Sequence, residues 1–106
     1  MTDFGSFEET AADSPYAGIR RRVVTTAKAT VTEYRFDPGA TFPIHEHPEE
    51  QITLVLDGEI AFTAGAERRE LGAGAWSVVP GDVAHGVTAG AAGARFLAIV
   101  VPPRPI

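Results

Sequence analysis

Short runs of alternating apolar and polar residues, separated by turn residues, fill most of this chain after residue 18. Residues 30–36 show the pattern well, since the even-numbered members would share one face of a strand and the odd-numbered members the other. The same pattern predicts strands over residues 19–29, 30–36, 41–47, 51–56, 59–64, 68–71, 75–79, 85–88 and 95–101. No segment combines a helical apolar period with good caps. Many short strands with glycine-rich turns indicate an all-β barrel or double-sheet jelly roll.

The connections between these strands are predicted from glycine and proline. Asp57-Gly58 stands between two apolar runs, which is a strong signal for a two-residue hairpin. Residues 89–93 (AGAAG) predict a flexible loop before the last strand. Residues 1–18 contain few aliphatic side chains and are interpreted as an N-terminal arm, which leaves residues 19–106 as one barrel domain.

Composition narrows the class of partner. The net charge of −5 argues against nucleic acid, and no apolar run approaches the roughly 18 residues of a membrane span. The acidic N-terminal residues lack a signal pattern, so we expect a cytoplasmic protein, from a GC-rich bacterial genome. The only basic run, Arg20 to Arg22, is interpreted as a solvated strand edge. Since the chain has no cysteine, any metal must be held by nitrogen and oxygen.

All three histidines fall in two glycine-bounded blocks. His45 and His47 are two residues apart in the first block, so on a strand their imidazoles would point to the same face. Gln51 follows four residues later and offers an amide oxygen, and His85 lies in the second block. Imidazole is the commonest metal ligand in proteins. The sequence therefore predicts a metal site, although the histidines could instead simply fill the interior of a barrel.

The first block resembles the first sequence motif of the cupin family. The match comprises Gly39, His45, His47, Gln51 and Gly58, with Gln51 where the family normally has glutamate. The second block resembles the second cupin motif through Gly74, Pro80 and His85. It departs from that motif at Asp82, which replaces a glycine, and at Ala89, which replaces an asparagine.

The resemblance covers residues 30–103 and implies a single-domain cupin jelly-roll barrel. It implies that one divalent ion is held by four ligands: His45, His47, Gln51 and His85. The metal stays open among zinc, nickel, iron, manganese and copper, because imidazole suits several of them. Gln51 could alternatively hydrogen-bond a water or a histidine without touching the metal.

Gln51 changes the chemistry that such a site would favour. Three neutral imidazoles and a neutral amide leave the full charge on the ion, which makes it a stronger Lewis acid with a preference for anionic ligands. We therefore expect isomerase, cyclase or lyase chemistry on the carbonyl or enolate of a small organic substrate. Two alternatives remain: a metal-dependent dioxygenase, and a non-catalytic metabolite-binding or sensor protein.

The residues of the two motifs are most similar to those of small cupins that act in pectin degradation and in aromatic polyketide cyclisation. Their tail arginine matches Arg104, which by this resemblance would bind a substrate carboxylate as a catalytic residue; a solvated terminal charge is the alternative. Ala98 and Val100 stand where the uronate-opening group has an acidic and an aromatic residue, and together with Phe96 they predict an apolar pocket.

Three further expectations depend on which way side chains point. Glu33 would be the general base if it faced inward. Tyr34 and Trp76 are interpreted as barrel filling, with substrate stacking as the alternative. If Gln51, Thr53 and Val55 point inward, an apolar row remains outside, formed by Ile52, Leu54 and Leu56. Such a row must be covered, either by a second subunit in a homodimer or by residues 1–18.

Overall fold

The computed structural model describes residues 2–105, and almost all of its regular structure is β-sheet. One turn of 3-10 helix, Phe7–Glu9, precedes the strands. The strands are β1 (Ala12–Asp13), β2 (Ile19–Thr25), β3 (Thr30–Phe36), β4 (Thr41–His45), β5 (Glu50–Ala64), β6 (Glu67–Gly72), β7 (Trp76–Val79) and β8 (His85–Val101). The all-β prediction is confirmed. Within the described residues no helix has the length and apolarity needed to cross a membrane.

Two long antiparallel strands, β5 and β8, pair with each other along most of their length and organise the fold. The first half of β5 also pairs with β7 and its second half with β6. The second half of β8 pairs with β3, and its first half pairs with β4. The result is a larger sheet ordered β1-β2-β3-β8-β5-β7 and a smaller sheet ordered β4-β8-β5-β6. Their facing sides enclose one core, as in a double-sheet jelly roll.

The predicted hairpin at Asp57-Gly58 is wrong, because β5 runs through it and shifts its register there. The predicted loop at residues 89–93 is wrong for the same reason, since it lies inside β8. Gly58 and Gly93 both have positive φ, and a Cβ added to Gly58 would lie 2.1 Å from the Gly93 carbonyl oxygen. The glycines therefore mark the bend at which both long strands pass from one sheet to the other.

The predicted strand over residues 19–29 is also too long, because it ends at Thr25. A turn follows in which the Thr26 hydroxyl accepts the N–H groups of Lys28 at 3.1 Å and Ala29 at 3.0 Å. This threonine side chain replaces the glycine or proline that would have announced a turn. The turn folds β2 onto β3 and places Arg21 opposite Tyr34.

Alternation along β5 agrees with the expected facing. Gln51, Thr53 and Val55 are at most 8% exposed inside the barrel. On the outer side Ile52 and Leu54 are half-buried, while Leu56 is 41% exposed. Two outward residues of β7 are also open to solvent, since Trp76 is 65% and Val78 50% exposed.

The outer face of β2 and β3 carries a buried carboxylate. Glu33 points away from the barrel interior, is fully buried, and is surrounded by three guanidinium groups. These belong to Arg22 at 3.6 Å, Arg35 at 3.3 Å and Arg95 at 2.8 Å, and we call the four residues the outer arginine cluster. Because Glu33 faces outward, the condition under which it would be a general base is not met.

Residues of the N-terminal segment lie over this cluster. Arg22 donates from Nε to the Thr10 carbonyl oxygen at 3.2 Å, and Glu8 forms an ion pair with Arg35. Further along, β1 pairs with β2 and sets Asp13 opposite Arg21. This segment therefore covers the charged part of the outer face, on β2 and β3.

Candidate metal centre

The three histidines converge at one point inside the barrel. His45 ends β4 and is paired in register with His85, the first residue of β8. His47 lies beyond the end of β4, so the expected strand alternation does not explain why it joins them. One nitrogen from each ring lies within 4.8 Å of the others, and His47 and His85 are buried. Such a cluster could hold a metal ion.

The loop that carries His47 is held by the second histidine block. The N–H of Asp82 donates to the His47 carbonyl oxygen at 2.8 Å. A Cβ added to Gly81 would lie 2.1 Å from the Pro48 carbonyl oxygen, so only glycine allows this approach. Asp82 itself takes the left-handed conformation, with φ of 66°, at the position where the cupin motif has glycine. Gly81 therefore allows the close approach, while the left-handed conformation falls on its neighbour Asp82.

Each histidine ring is oriented by a backbone carbonyl two residues away. The Nδ1 groups lie 2.9 Å from the Pro43 oxygen for His45, 3.0 Å from the Glu49 oxygen for His47 and 2.9 Å from the Val83 oxygen for His85. A carbonyl oxygen can only accept, so Nδ1 must carry the proton in all three rings. In the neutral imidazole this leaves a lone pair on Nε2, the arrangement typical of metal-binding histidines.

Gln51 adds a fourth electron donor to this set. Its Nε2 donates to the Thr53 hydroxyl at 3.2 Å, which turns its Oε1 toward the histidines. That oxygen lies 3.1 Å from Nε2 of His47 and 3.2 Å from Nε2 of His85. All three atoms are acceptors, so no proton stands between them. Ligands bound at about 2.1 Å to one ion lie roughly 3 Å apart, and the donor set therefore fits a cation.

Burial keeps two of the rings neutral. It lowers the pKa of His45 and of His85 below the usual value, against the opposing effect of their carbonyl partners. The neighbouring histidines lower both values further, and the charge of Arg104 adds to the effect on His45. Neutral imidazole is the form that binds a metal.

A cavity of about 190 Å³ opens onto this centre. Its lining includes His45, His47 and Gln51, together with Arg104 from the C-terminal tail. The tail is held to β3 because the Thr30 hydroxyl accepts the N–H of Arg104 at 2.9 Å and donates to its carbonyl at 3.1 Å. The structure therefore brings Arg104 and the predicted ligands to one place.

Glu49 connects the tail to the metal centre. Its carboxylate oxygen lies 3.4 Å from Nη1 of Arg104 and 3.5 Å from Nδ1 of His47. The same residue supplies the backbone oxygen that orients His47. Glu49 thus supports a histidine from outside the donor set.

One wall of the cavity is apolar. Ala98 and Val100 line it, as expected, whereas Phe96 lies behind it and stacks on Tyr34 with ring centroids 5.2 Å apart. Among the residues that line this cavity in the described chain there is no aspartate or glutamate. A substrate would therefore meet apolar side chains, arginines and neutral ligands.

Arg21 was missed as a residue of the cavity, and Tyr34 both packs on the core and lines the cavity. Arg21 lines it, and its Nε and Nη2 contact Asp13 at 3.0 Å and 2.6 Å. Tyr34, interpreted chiefly as barrel filling, also lines it. The basic run is therefore not a solvated edge, since Arg21 faces the cavity, Arg22 belongs to the outer cluster and only Arg20 is exposed. Recognising the turn after Thr25 would have revealed that Arg21 shares a face with Tyr34.

Comparisons with known proteins agree with this architecture. KdgF from Halomonas sp. superposes with a TM-score of 0.89 at 26% identity, covering 96% of each chain. An RmlC-like cupin from Shewanella frigidimarina NCIMB 400 gives a TM-score of 0.89 at 25% identity, covering 98% of this chain and 94% of the other.

Oxalate decarboxylase from Bacillus subtilis shares the fold, with a TM-score of 0.85 at 24% identity over 92% of this chain and 28% of its own. No curated protein sequence gives a significant match. The family described as the cupin domain matches residues 32–100, which is more than half of the sequence. The chain, with its jelly-roll fold and paired histidine blocks, belongs to the cupin family.

Proposed function

We propose that this cupin is a metal-dependent enzyme that polarises a carbonyl or stabilises an enolate of a small organic acid. Isomerisation, cyclisation or bond cleavage next to the carbonyl would follow from that step. The observation that supports it is the donor set: three imidazole nitrogens and one amide oxygen converge at a cavity, with no carboxylate among them.

The ligands would be His45, His47, His85 and Gln51. A divalent ion bound there would act as a Lewis acid that withdraws electron density from a carbonyl oxygen. Because all four ligands are neutral, none of the ion's charge is cancelled, which suits an anionic substrate. The same neutrality argues against the two-histidine, one-carboxylate ligand set common in iron oxygenases.

The remaining groups of the cavity would bind and orient the substrate. Arg104, joined to His47 through Glu49, would hold the carboxylate nearest the ligands. Burial raises the pKa of the Tyr34 hydroxyl, although Arg21 opposes this, so the hydroxyl keeps its proton and would donate a hydrogen bond to the substrate. Ala98 and Val100 would exclude water from one side. With no carboxylate in the lining, water would remove the proton.

The apolar wall narrows the substrate. In the uronate-opening cupins that this sequence resembles, an acidic and an aromatic residue occupy the positions of Ala98 and Val100. Their replacement favours a keto acid with an alkyl segment over a sugar acid.

The test is solvent exchange at the carbon beside a carbonyl. Zinc-loaded protein is incubated without oxygen in deuterated water with 2-oxovalerate, and the C3 proton signal is followed by nuclear magnetic resonance. We expect exchange at least about 100-fold faster than with free zinc, the usual range of acid–base assistance. The His45→Ala, His85→Ala double variant is the control and should retain neither metal nor exchange.

Elemental analysis separates the possible failures. Bound metal without exchange would contradict the carbonyl chemistry, and oxygen uptake by the iron-loaded protein would then identify a dioxygenase. No metal in the native protein, even after divalent ions are added, would overturn the metal-dependent function and favour a binding or sensor protein.

A further inference from the structure

Arg21 is a charged side chain in the cavity wall that the proposed metal chemistry does not use. It lies on the inner face of β2, is 15% exposed and stands opposite Tyr34 in the strand register. Both side chains line the cavity that opens onto the histidines. The wall therefore contains a guanidinium and a phenol hydroxyl side by side, both of which can donate hydrogen bonds to an anion.

The N-terminal segment fixes the orientation of Arg21. Strand β1 pairs with β2 so that Asp13 lies opposite Arg21, and the two side chains form a two-point contact through Nε and Nη2. Asp13 is 60% exposed and does not line the cavity. The contact leaves Nη1 of Arg21 outside the fork. A guanidinium held in this way loses little further freedom when it binds a carboxylate.

The charges around the cavity indicate the kind of ligand. Arg21 is paired with Asp13, and Arg104 is paired with Glu49. The uncompensated charge is therefore that of a divalent ion on the histidines. One carboxylate would cancel half of that charge and two carboxylates would cancel all of it. Arg104 lies near the metal end, since its Nη1 is 3.4 Å from the Glu49 carboxylate oxygen that lies 3.5 Å from Nδ1 of His47, whereas Arg21 is paired with Asp13.

We infer that Arg21 and Tyr34 form a second carboxylate subsite, held in place by Asp13, and that the ligand is a small keto acid with two carboxylates. The metal-binding end of this ligand rests on the proposed function, whereas the subsite rests only on the cavity wall. Arg21 and Tyr34 would contact the distal carboxylate. Asp13 is a positioning residue that acts through Arg21.

The experiment compares two keto acids of equal chain length. Binding of 2-oxoglutarate and 2-oxovalerate to zinc-loaded protein is measured by titration calorimetry. We expect the native protein to prefer 2-oxoglutarate by about tenfold, as for one charge-assisted hydrogen bond. Arg21→Gln should bring the ratio of the two affinities close to one without changing the affinity for 2-oxovalerate. Arg20→Gln removes the same charge from the neighbouring exposed position and should keep the native ratio.

Two further variants separate positioning from simple charge. Asp13→Asn removes a negative charge beside Arg21, so charge alone would tighten the binding of 2-oxoglutarate. A positioning role for Asp13 predicts the reverse: Asp13→Asn should weaken the preference for 2-oxoglutarate over 2-oxovalerate, and Asp13→Glu should keep the native preference. Tyr34→Phe should lower the preference by a smaller factor than Arg21→Gln. Thermal melting checks that each variant is folded.

The subsite is overturned if the native protein shows no preference, if Arg21→Gln weakens both ligands equally, or if Arg20→Gln lowers the ratio as much as Arg21→Gln. Failure of the proposed function is detected separately, by metal content and exchange rate. If the histidines bind no metal, the subsite still predicts that metal-free protein prefers succinate to butyrate, and equal binding of the two would overturn it.

Discussion

Two groups of polar side chains lie on opposite sides of the larger sheet and differ in one respect; the inner group consists of Gln51, on that sheet, and the three histidines that converge near it. On the outer face the carboxylate of Glu33 is surrounded by donors from three arginines. On the inner face three Nε2 atoms and the Gln51 oxygen are all acceptors, since every Nδ1 proton is already used by a backbone carbonyl. The outer carboxylate has charged donors around it, whereas the acceptors of the inner group face no cation among the described residues.

A structural cluster and a ligand site can look alike in burial and polarity. Burial and polarity are similar on both faces, because Glu33 and His85 are each at most 1% exposed. The balance of donors and acceptors separates them, since a buried acceptor without a donor is costly. A cation on the inner face would supply what the arginines supply on the outer one.

The largest expected effect on the free energy of unfolding comes from zinc binding to the inner group. Zinc at about 1,000 times its dissociation constant should raise the free energy of unfolding by about 4 kcal/mol, because it binds only the folded chain. Urea denaturation with zinc and with a chelator measures the difference. The His45→Ala, His85→Ala variant should show no zinc effect, and Glu33→Gln should keep it. An equal zinc effect in both variants would place the ion elsewhere.

The next effect comes from breaking the outer group. Glu33→Gln should lower the free energy of unfolding by about 2 kcal/mol, between the values for surface and buried ion pairs, since the arginines are partly exposed. Glu70→Gln removes a carboxylate from an exposed pair with Arg68 at 3.5 Å and should change it by less than about 0.5 kcal/mol. A loss no larger than that of Glu70→Gln would show that the outer arginine cluster adds no more to the free energy of unfolding than an exposed ion pair does.

The contribution of Glu33 to the free energy of unfolding should depend on pH. Burial alone would raise the pKa of Glu33, but Arg95 and Arg35 outweigh it and hold the pKa below its usual value. The ionised side chain therefore stabilises the fold above the unfolded pKa of about 4.3, and this contribution is lost as the pH falls through the folded pKa. The difference between native protein and Glu33→Gln should be full at neutral pH and shrink in acid.

A smaller effect is expected when a carboxylate is placed among the histidines, as Glu33 is placed among the arginines. Gln51→Glu introduces a carboxylate among the histidines and should tighten zinc binding by about tenfold, or about 1.4 kcal/mol. It should also slow the exchange of 2-oxovalerate, because one unit of the ion's charge is cancelled. Chelator competition measures the affinity. Unchanged affinity in both Gln51→Glu and Gln51→Leu would remove Gln51 from the ligand set.

The smallest expected effect on stability concerns the uncharged part of the outer face. The homodimer stays a prediction, supported by the exposure of Leu56, Trp76 and Val78 beside Ile52 and Leu54. Trp76→Lys should convert a dimer to a monomer in light scattering while changing the stability of the fold by about 0.5 kcal/mol or less. Glu70→Lys, on the exposed strand β6, is the matched control and should leave the mass unchanged. A native monomer would contradict the prediction.

The strand pattern predicted the fold because alternation is a local property. The alternation along β3 and the first half of β5 followed from it directly, whereas the face that points inward was inferred from Gln51 for β5 and was left open for β3. The bend at Gly58 did not, since a hairpin turn and a bulge both need a residue with positive φ. What distinguishes them is Gly93 on the neighbouring strand, which is distant in sequence.

The histidine cluster and the apolar part of the cavity wall, Ala98 and Val100, were predicted from the sequence, whereas Arg21 was missed. The histidines were visible as a residue type in a spaced motif. Arg21 was hidden because its direction depends on a turn closed by Thr26, which has no glycine or proline to mark it. Its partner Asp13 belongs to a two-residue strand that no periodicity could indicate.

The short carbonyl contacts behind the histidines have a consequence for how a metal would bind to this site. Pro43, Glu49 and Val83 orient the rings locally, so the ligands are already arranged in the folded chain before any ion arrives. Under the proposed function, a metal would therefore bind after the chain has folded, and folding would not depend on it. The identity of such an ion would reflect which metals the surroundings supply, because imidazole accepts several of them.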